Sequence, residues 1–277
     1  MTANRRVPHE PPTARQTLRQ AAFDIGISPD DHERAFLLVQ IADALAQHPK
    51  IGKRLAFKGG TVMRLADNSP RLSRDLDAVD LVATGIRADD VEAALTSPAA
   101  KRFIVGVGKV TRGTDRLVLN FVEGRLLSGG TLPIRMTIHW VEKPLCPREK
   151  VAVELPNGKI VGFTILARRE RAAEKVRAFI DRALGRDAFD LWYFARERLD
   201  ARDWRELPTL IDAKLSHSEF LAAGADVVAA FDAAVAKVEE SWDPSADLLL
   251  VERAPDWAEV KKEVLRFQEC LPSARRA

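Results

Sequence analysis

Phe57-Lys58-Gly59-Gly60-Thr61-Val62-Met63-Arg64-Leu65, followed by Arg71-Leu72-Ser73-Arg74-Asp75-Leu76-Asp77, decides the fold of this chain. The stretch reads as a short apolar entry, a glycine pair opening a helix, a turn at Asp67-Asn68-Ser69-Pro70, and a strand with two alternate carboxylates. Glycines permit close backbone approach to a ligand, and a helix N-terminus presents N–H groups that suit phosphate oxygens. On a strand, residues i and i+2 share a face, so Asp75 and Asp77 point the same way. Two neighbouring carboxylates repel each other and call for a cation, and oxygen ligands beside a phosphate favour Mg²⁺. Asp80 falls out of phase with the pair and is left outside the metal site.

A second informative string lies in the C-terminal half. Lys175-Val-Arg-Ala-Phe-Ile-Asp-Arg182 is followed by Arg186-Asp187-Ala-Phe-Asp190-Leu-Trp192. Lys175 and Arg182 are two helical turns apart and share a face. A lysine point charge and a forked arginine donor together suit a triphosphate. Asp187 and Asp190 are also on one face. One of them could orient the basic pair or accept a proton from an attacking hydroxyl.

The Gly-Gly and Asp-x-Asp pattern resembles the nucleotidyltransferase superfamily of DNA polymerase β-like folds. The fuller Lys-Gly-Gly-Thr…Arg-x-Ser-x-Asp-x-Asp string, with Lys-x-x-Ala…Arg…Arg-Asp-x-x-Asp-Leu behind it, is similar to the AbiEii branch. The resemblance implies an α+β fold: a polymerase β-like nucleotidyltransferase domain with a small mixed sheet, followed by a helical C-terminal half. It implies a metal-dependent enzyme that moves a nucleotide from an NTP to an acceptor hydroxyl. By resemblance that acceptor is the 3′ end of tRNA, and the chain is the toxin of a toxin–antitoxin or phage-defence system with a separately encoded antitoxin. The implied catalytic residues are Asp75, Asp77, Lys175 and Asp190. Asp75 and Asp77 hold Mg²⁺ or Mn²⁺, and Lys58, Gly59, Gly60, Ser73 and Arg182 contact the nucleotide.

The third strand of the N-terminal half, near Leu132 to Val141, departs from the superfamily. Arg135, Thr137 and His139 share a face there, and none is the carboxylate that completes two-metal chemistry. Thr137 is taken as the usual acidic position. A catalytically weak nucleotide- or RNA-binding relative, or a protein-modifying nucleotidyltransferase, therefore stays open as an alternative.

The expected domains are an arm and short helix over 1–30, a nucleotidyltransferase domain over 31–160, and a helical domain over 161–277 that completes the active cleft. The stretch 144–160, with Pro144, Pro147, Pro156 and Asn157-Gly158, reads as a linker with a turn. Gly113-Thr114-Asp115 reads as a hairpin turn. Net charge is +3 from 43 basic and 40 acidic residues, which excludes a uniformly basic nucleic-acid surface but leaves room for a local patch. Arg64, Arg71 and Arg74, with Arg168, Arg169 and Arg171, are the candidates for it, and pairing with nearby acids is their ordinary alternative. Cys146 and Cys270 show no metal spacing. No apolar run suits a membrane span, the polar N-terminus lacks a secretory pattern, and a cytoplasmic location is expected.

Overall fold

The computed structural model of the chain describes residues 22–24, 28–82, 85–125, 130–154, 160–218, 221, 224–243 and 255–272. The expected N-terminal arm, most of the helix over 14–26, the Asn157-Gly158 turn and the tail beyond 272 lie outside these residues. The chain divides into two compact units between Leu166 and Ala167.

The first unit is a mixed sheet with helices. Helix α1 runs Pro29–Gln47; Ser28 caps it by accepting from the Asp31 N–H, and Pro29 begins it. Strand β1, Leu55–Lys58, leads into α2, Gly59–Ala66, and β2 covers Asp75–Asp80. Helix α3 spans Ala88–Leu95. Strands β3 to β6 cover Ile104–Val107, Val110–Arg112, Arg116–Arg125 and Thr131–His139. Strands β7 and β8 cover Glu149–Glu154 and Ile160–Ile165. The sheet has eight strands in the order β3-β5-β6-β2-β1-β8-β7, with β4 also pairing β5. It is mixed as expected, and larger than the small sheet read from sequence. The hairpin at Gly113 is present, closed by the Gly113 N–H on the Arg116 carbonyl at 2.8 Å.

One expectation is corrected. The stretch 144–160 is not a linker: β7 and β8 pair antiparallel, and β8 joins β1 in parallel at Phe57 and Ile165. The alternation Lys150-Val-Ala-Val carries a strand period that the surrounding prolines obscured.

Alternation sorts the sheet into two faces. Leu76, Ala78, Met136, Ile138, Phe57 and Ile165 are buried in one core together with the apolar stripe of α1. Helix α1 lies close on the sheet: a Cβ at Gly124 would stand 2.5 Å from the Leu37 Cδ1. Burial of one face in this way fixes strand register, because a one-residue slip would turn every core side chain to the other face.

The second unit is helical: α4 Arg168–Arg182, α5 Gly185–Tyr193, α6 Ala201–Leu215, α7 Val227–Ser241 and α8 Trp257–Leu265. Phe179 meets Phe231 edge-on at 5.3 Å and joins α4 to α7. Trp204 packs on Phe267 at 4.9 Å. Lys214, 1% exposed, reaches back to Glu170 at 2.8 Å and, 40 residues away, to Glu174 at 3.2 Å, tying α6 to α4. Helix α4 ends at Ala183, which sits in the left-handed region at φ 48°. That corner turns the chain within two residues into α5.

Candidate active site

The glycine turn and the carboxylate strand come together in the first unit. Gly59 has φ +78°, a conformation that favours glycine. A Cβ there would lie 2.6 Å from Asp77 Oδ2. At Gly60 a Cβ would lie 2.8 Å from an Arg71 guanidinium nitrogen and 3.0 Å from Ser73 Oγ. The two glycines are thus the surface on which Asp77, Ser73 and Arg71 rest. The Thr61 hydroxyl donates to the Asp75 carbonyl at 2.8 Å, and the Ser73 hydroxyl donates to the same oxygen at 3.1 Å. These bonds fasten the start of β2 to the first turn of α2. Lys58 supplies no side-chain cap to that turn.

Asp75 and Asp77 are half-buried on one face of β2, while Leu76 and Ala78 between and after them are 1% exposed on the other. Asp77 is in register with Lys58 on β1 and with Thr137 on β6; Asp75 is in register with Arg135. Thr137 therefore does occupy the strand position beside Asp77. Lys58 is 5% exposed, and its ammonium lies 4.0 Å from Glu142. Asp80 turns away to the far end of the strand, where Arg54 grips it with two contacts of 3.0 and 2.6 Å. Among the described residues no group of three or more His, Cys, Asp or Glu side chains is disposed to hold a metal ion.

In the second unit, the Ala183 corner folds α5 back on α4. Lys175 lies 2.6 Å from Asp190 and 3.9 Å from Asp187, and Arg182 lies 2.6 Å from Asp187. Both aspartates are 0% exposed. Asp187 Oδ2 finds no hydrogen-bond donor among the described residues. The four side chains that sequence spacing placed on helix faces form one charge-balanced cluster, with Asp187, Asp190 and Lys175 buried and Arg182 exposed at its edge.

The proposed basic patch does not stand as a unit. Arg168 pairs with Asp203 at 2.8 Å and Asp200 at 3.3 Å, and Arg169 pairs with Glu206 at 2.6 Å. The Asp203 N–H, foremost, holds the Asp200 carboxyl below the usual carboxylate range. Arg71 is buried and donates to the Leu72 carbonyl, and Arg64 donates to the Ser69 carbonyl. Arg74 is exposed and makes no ion pair among the described residues. Sequence reading missed Glu142, which lies in irregular backbone, and Lys214, whose partners are distant in sequence. The i, i+4 spacing of Glu170 and Glu174 was the available signal for the latter.

Residues 43–274 match the family model described as nucleotidyl transferase AbiEii toxin, type IV TA system. Among solved structures, the chain is similar to MenT4, a nucleotidyltransferase toxin from Mycobacterium tuberculosis H37Rv, with 22% identity and a TM-score of 0.68 over 92% of this chain and 88% of that one. It is also similar to JHP933 from Helicobacter pylori, with 17% identity and a TM-score of 0.53 over 87% of this chain and 91% of that one. At these identities the likeness concerns the fold. No curated protein matches. Among the described residues no helix is long and apolar enough to cross a membrane.

Proposed function

Because the chain belongs to the AbiEii family of nucleotidyltransferase toxins of type IV toxin–antitoxin systems, we propose that it transfers a nucleotide from an NTP to the 3′ hydroxyl of an RNA, with tRNA as the acceptor. The observation that carries this reading is the seating of Asp77 and Ser73 on the Gly59-Gly60 surface, which brings the phosphate turn and the carboxylate strand within contact distance.

In the proposed reaction the acceptor oxygen bonds to the α-phosphorus, and the bond from that phosphorus to the bridging oxygen breaks. Pyrophosphate leaves with the electron pair, and the hydroxyl proton passes to water. The N–H groups opening α2, with the Ser73 hydroxyl, receive the phosphate oxygens. Gly59 and Gly60 let those oxygens approach the backbone. Lys58, in register with Asp77, adds positive charge to the same face.

The residues present fit a divalent cation. Two half-buried carboxylates on one face are an all-oxygen donor set, and Mg²⁺ takes one or two carboxylates with the rest of its ligands from water and substrate phosphate. Asp75 and Asp77 would hold Mg²⁺ or Mn²⁺, which when bound supplies charge neutralisation for the transferring phosphoryl group. Lys175 and Arg182 are proposed to serve the same transfer by offsetting charge on the departing pyrophosphate. Asp190, enclosed and 2.6 Å from Lys175, suits the part of orienting that lysine. Toxicity then follows from a blocked tRNA 3′ end, and control from a separately encoded, DNA-binding antitoxin, in a system that acts in phage defence.

The test is a labelled-NTP assay with each of the four NTPs, a divalent metal and total tRNA. Label on tRNA that disappears when the RNA 3′ end is first oxidised supports the reading. Label confined to protein overturns the acceptor and leaves a protein-modifying nucleotidyltransferase. No transfer to either acceptor favours the binding relative that the absent β6 carboxylate suggests.

A further inference from the structure

Strand β6 places an arginine directly beside Asp75. Arg135 is in register with Asp75, on the same sheet face, with paired strands about 4.8 Å apart. The exposure pattern of β6 sets Arg135, Thr137 and His139 on the open side, with Met136 and Ile138 buried opposite. Arg135 is exposed and makes neither an ion pair nor a hydrogen bond among the described residues, although Asp75 is its strand neighbour. A guanidinium that leaves an adjacent carboxylate unneutralised remains available for an anion.

The strand order says which anion. The glycine turn belongs to β1 and α2, on one side of β2; Arg135 belongs to β6, on the other side. In phosphoryl transfer the attacking and leaving oxygens lie roughly in line. With pyrophosphate departing toward the glycine turn, the acceptor hydroxyl enters from the β6 side. We propose that Arg135 binds the acceptor, gripping the last internucleotide phosphate of a polynucleotide 3′ end and so positioning its terminal hydroxyl beside Asp75. This rests on the NTP site and RNA acceptor proposed above and deepens them by naming the residue that holds the acceptor's phosphodiester chain. A protein hydroxyl offers no such phosphate. Arginine suits the task because its fork matches two phosphate oxygens, and such a contact positions the strand without reading its sequence.

The experiment compares wild type with Arg135→Gln and Arg135→Lys, using total tRNA and the NTP that wild type consumes. Arg135→Gln is expected to raise KM for tRNA at least about tenfold, as for loss of one charge-assisted contact, while KM for the NTP stays within about twofold. Arg135→Lys is expected to recover part of the loss. In direct binding of tRNA across a potassium chloride series, the slope of log affinity against log salt is expected to fall by about 0.7 to 0.9 in Arg135→Gln, as for one phosphate contact. Arg135 is exposed, so the melting temperature should not move. Unchanged KM for tRNA and an unchanged salt slope overturn the inference while the transfer reading stands. A rise confined to KM for the NTP also overturns it. Label appearing only on protein in wild type removes both.

Discussion

On β2, Asp75 and Asp77 stand half-buried on an open sheet face, two like charges two residues apart. On α5, Asp187 and Asp190 are fully enclosed, and each meets a cation within 2.6 Å. The first pair is partly open to water beside the glycine turn; the second is enclosed and paired with Lys175 and Arg182. Desolvation explains the difference. An enclosed carboxylate is strongly destabilising unless paired, so the helical cluster must carry its counter-charges permanently. A carboxylate that keeps access to water carries a smaller desolvation cost. The helical cluster is thus tied to stability, whereas the sheet pair is the place where a loss of charge should cost least in stability.

The largest effect should come from the open pair. Asp75→Asn or Asp77→Asn removes an anionic ligand at nearly constant shape, and transfer should fall below detection while the melting temperature stays level or rises. A melting temperature that drops as far as in the helical variants would erase the contrast between the two regions. Next comes Lys175→Met, which leaves the enclosed Asp190 without its 2.6 Å partner. We expect a loss of about 3 to 5 kcal/mol in denaturant unfolding, the usual cost of breaking a buried pair from one side. Lys175→Met combined with Asp190→Leu should recover much of that stability but none of the activity, which separates the cluster's structural role from the catalytic one proposed for it.

Gly59→Ala should follow. Its Cβ must take a positive φ and displace the Asp77 carboxylate, at a backbone cost of roughly 1 to 2 kcal/mol. Activity should fall far more than that stability change accounts for, measured as turnover at saturating NTP. The smallest effect is expected from Ser73→Ala. It removes one of two hydroxyl bonds to the Asp75 carbonyl, and Thr61 still holds the other. Stability should change by about 1 kcal/mol or less, with a rise of a few-fold in KM for the NTP. A loss as deep as that of Asp75→Asn would show that Ser73 acts on the reacting groups themselves.

Much of this could be read in the chain before any coordinates. Gly59-Gly60 and Asp75-Leu76-Asp77 were legible because glycine punctuation and strand alternation are local rules. The faces of α4 and α5 were legible for the same reason, and so were the candidates Lys175, Arg182, Asp187 and Asp190. What was not legible depended on contacts distant in sequence. Lys214 meets Glu174 across 40 residues and Glu170 from farther still, Glu142 reaches Lys58 from irregular backbone, and β8 finds β1 only through the sheet. The arginines before Lys175 looked like a patch because their acidic partners, Asp200, Asp203 and Glu206, belong to another helix. Arg135 was read only as one of three residues sharing a face on this strand, and its register with Asp75 gave it a place.

The parallel seat of β8 beside β1 also bears on the order in which the protein is made. The Phe57 carbonyl is answered by the Leu166 N–H at 3.1 Å. About 100 residues separate the end of β1 from the start of β8, roughly 5 to 20 s of synthesis. During that interval β1 can pair with β2 yet must expose its other edge. The strand that carries the glycine turn is thus clamped on both sides only when the last strand of the unit leaves the ribosome, and a half-made chain cannot hold the turn as the finished one does.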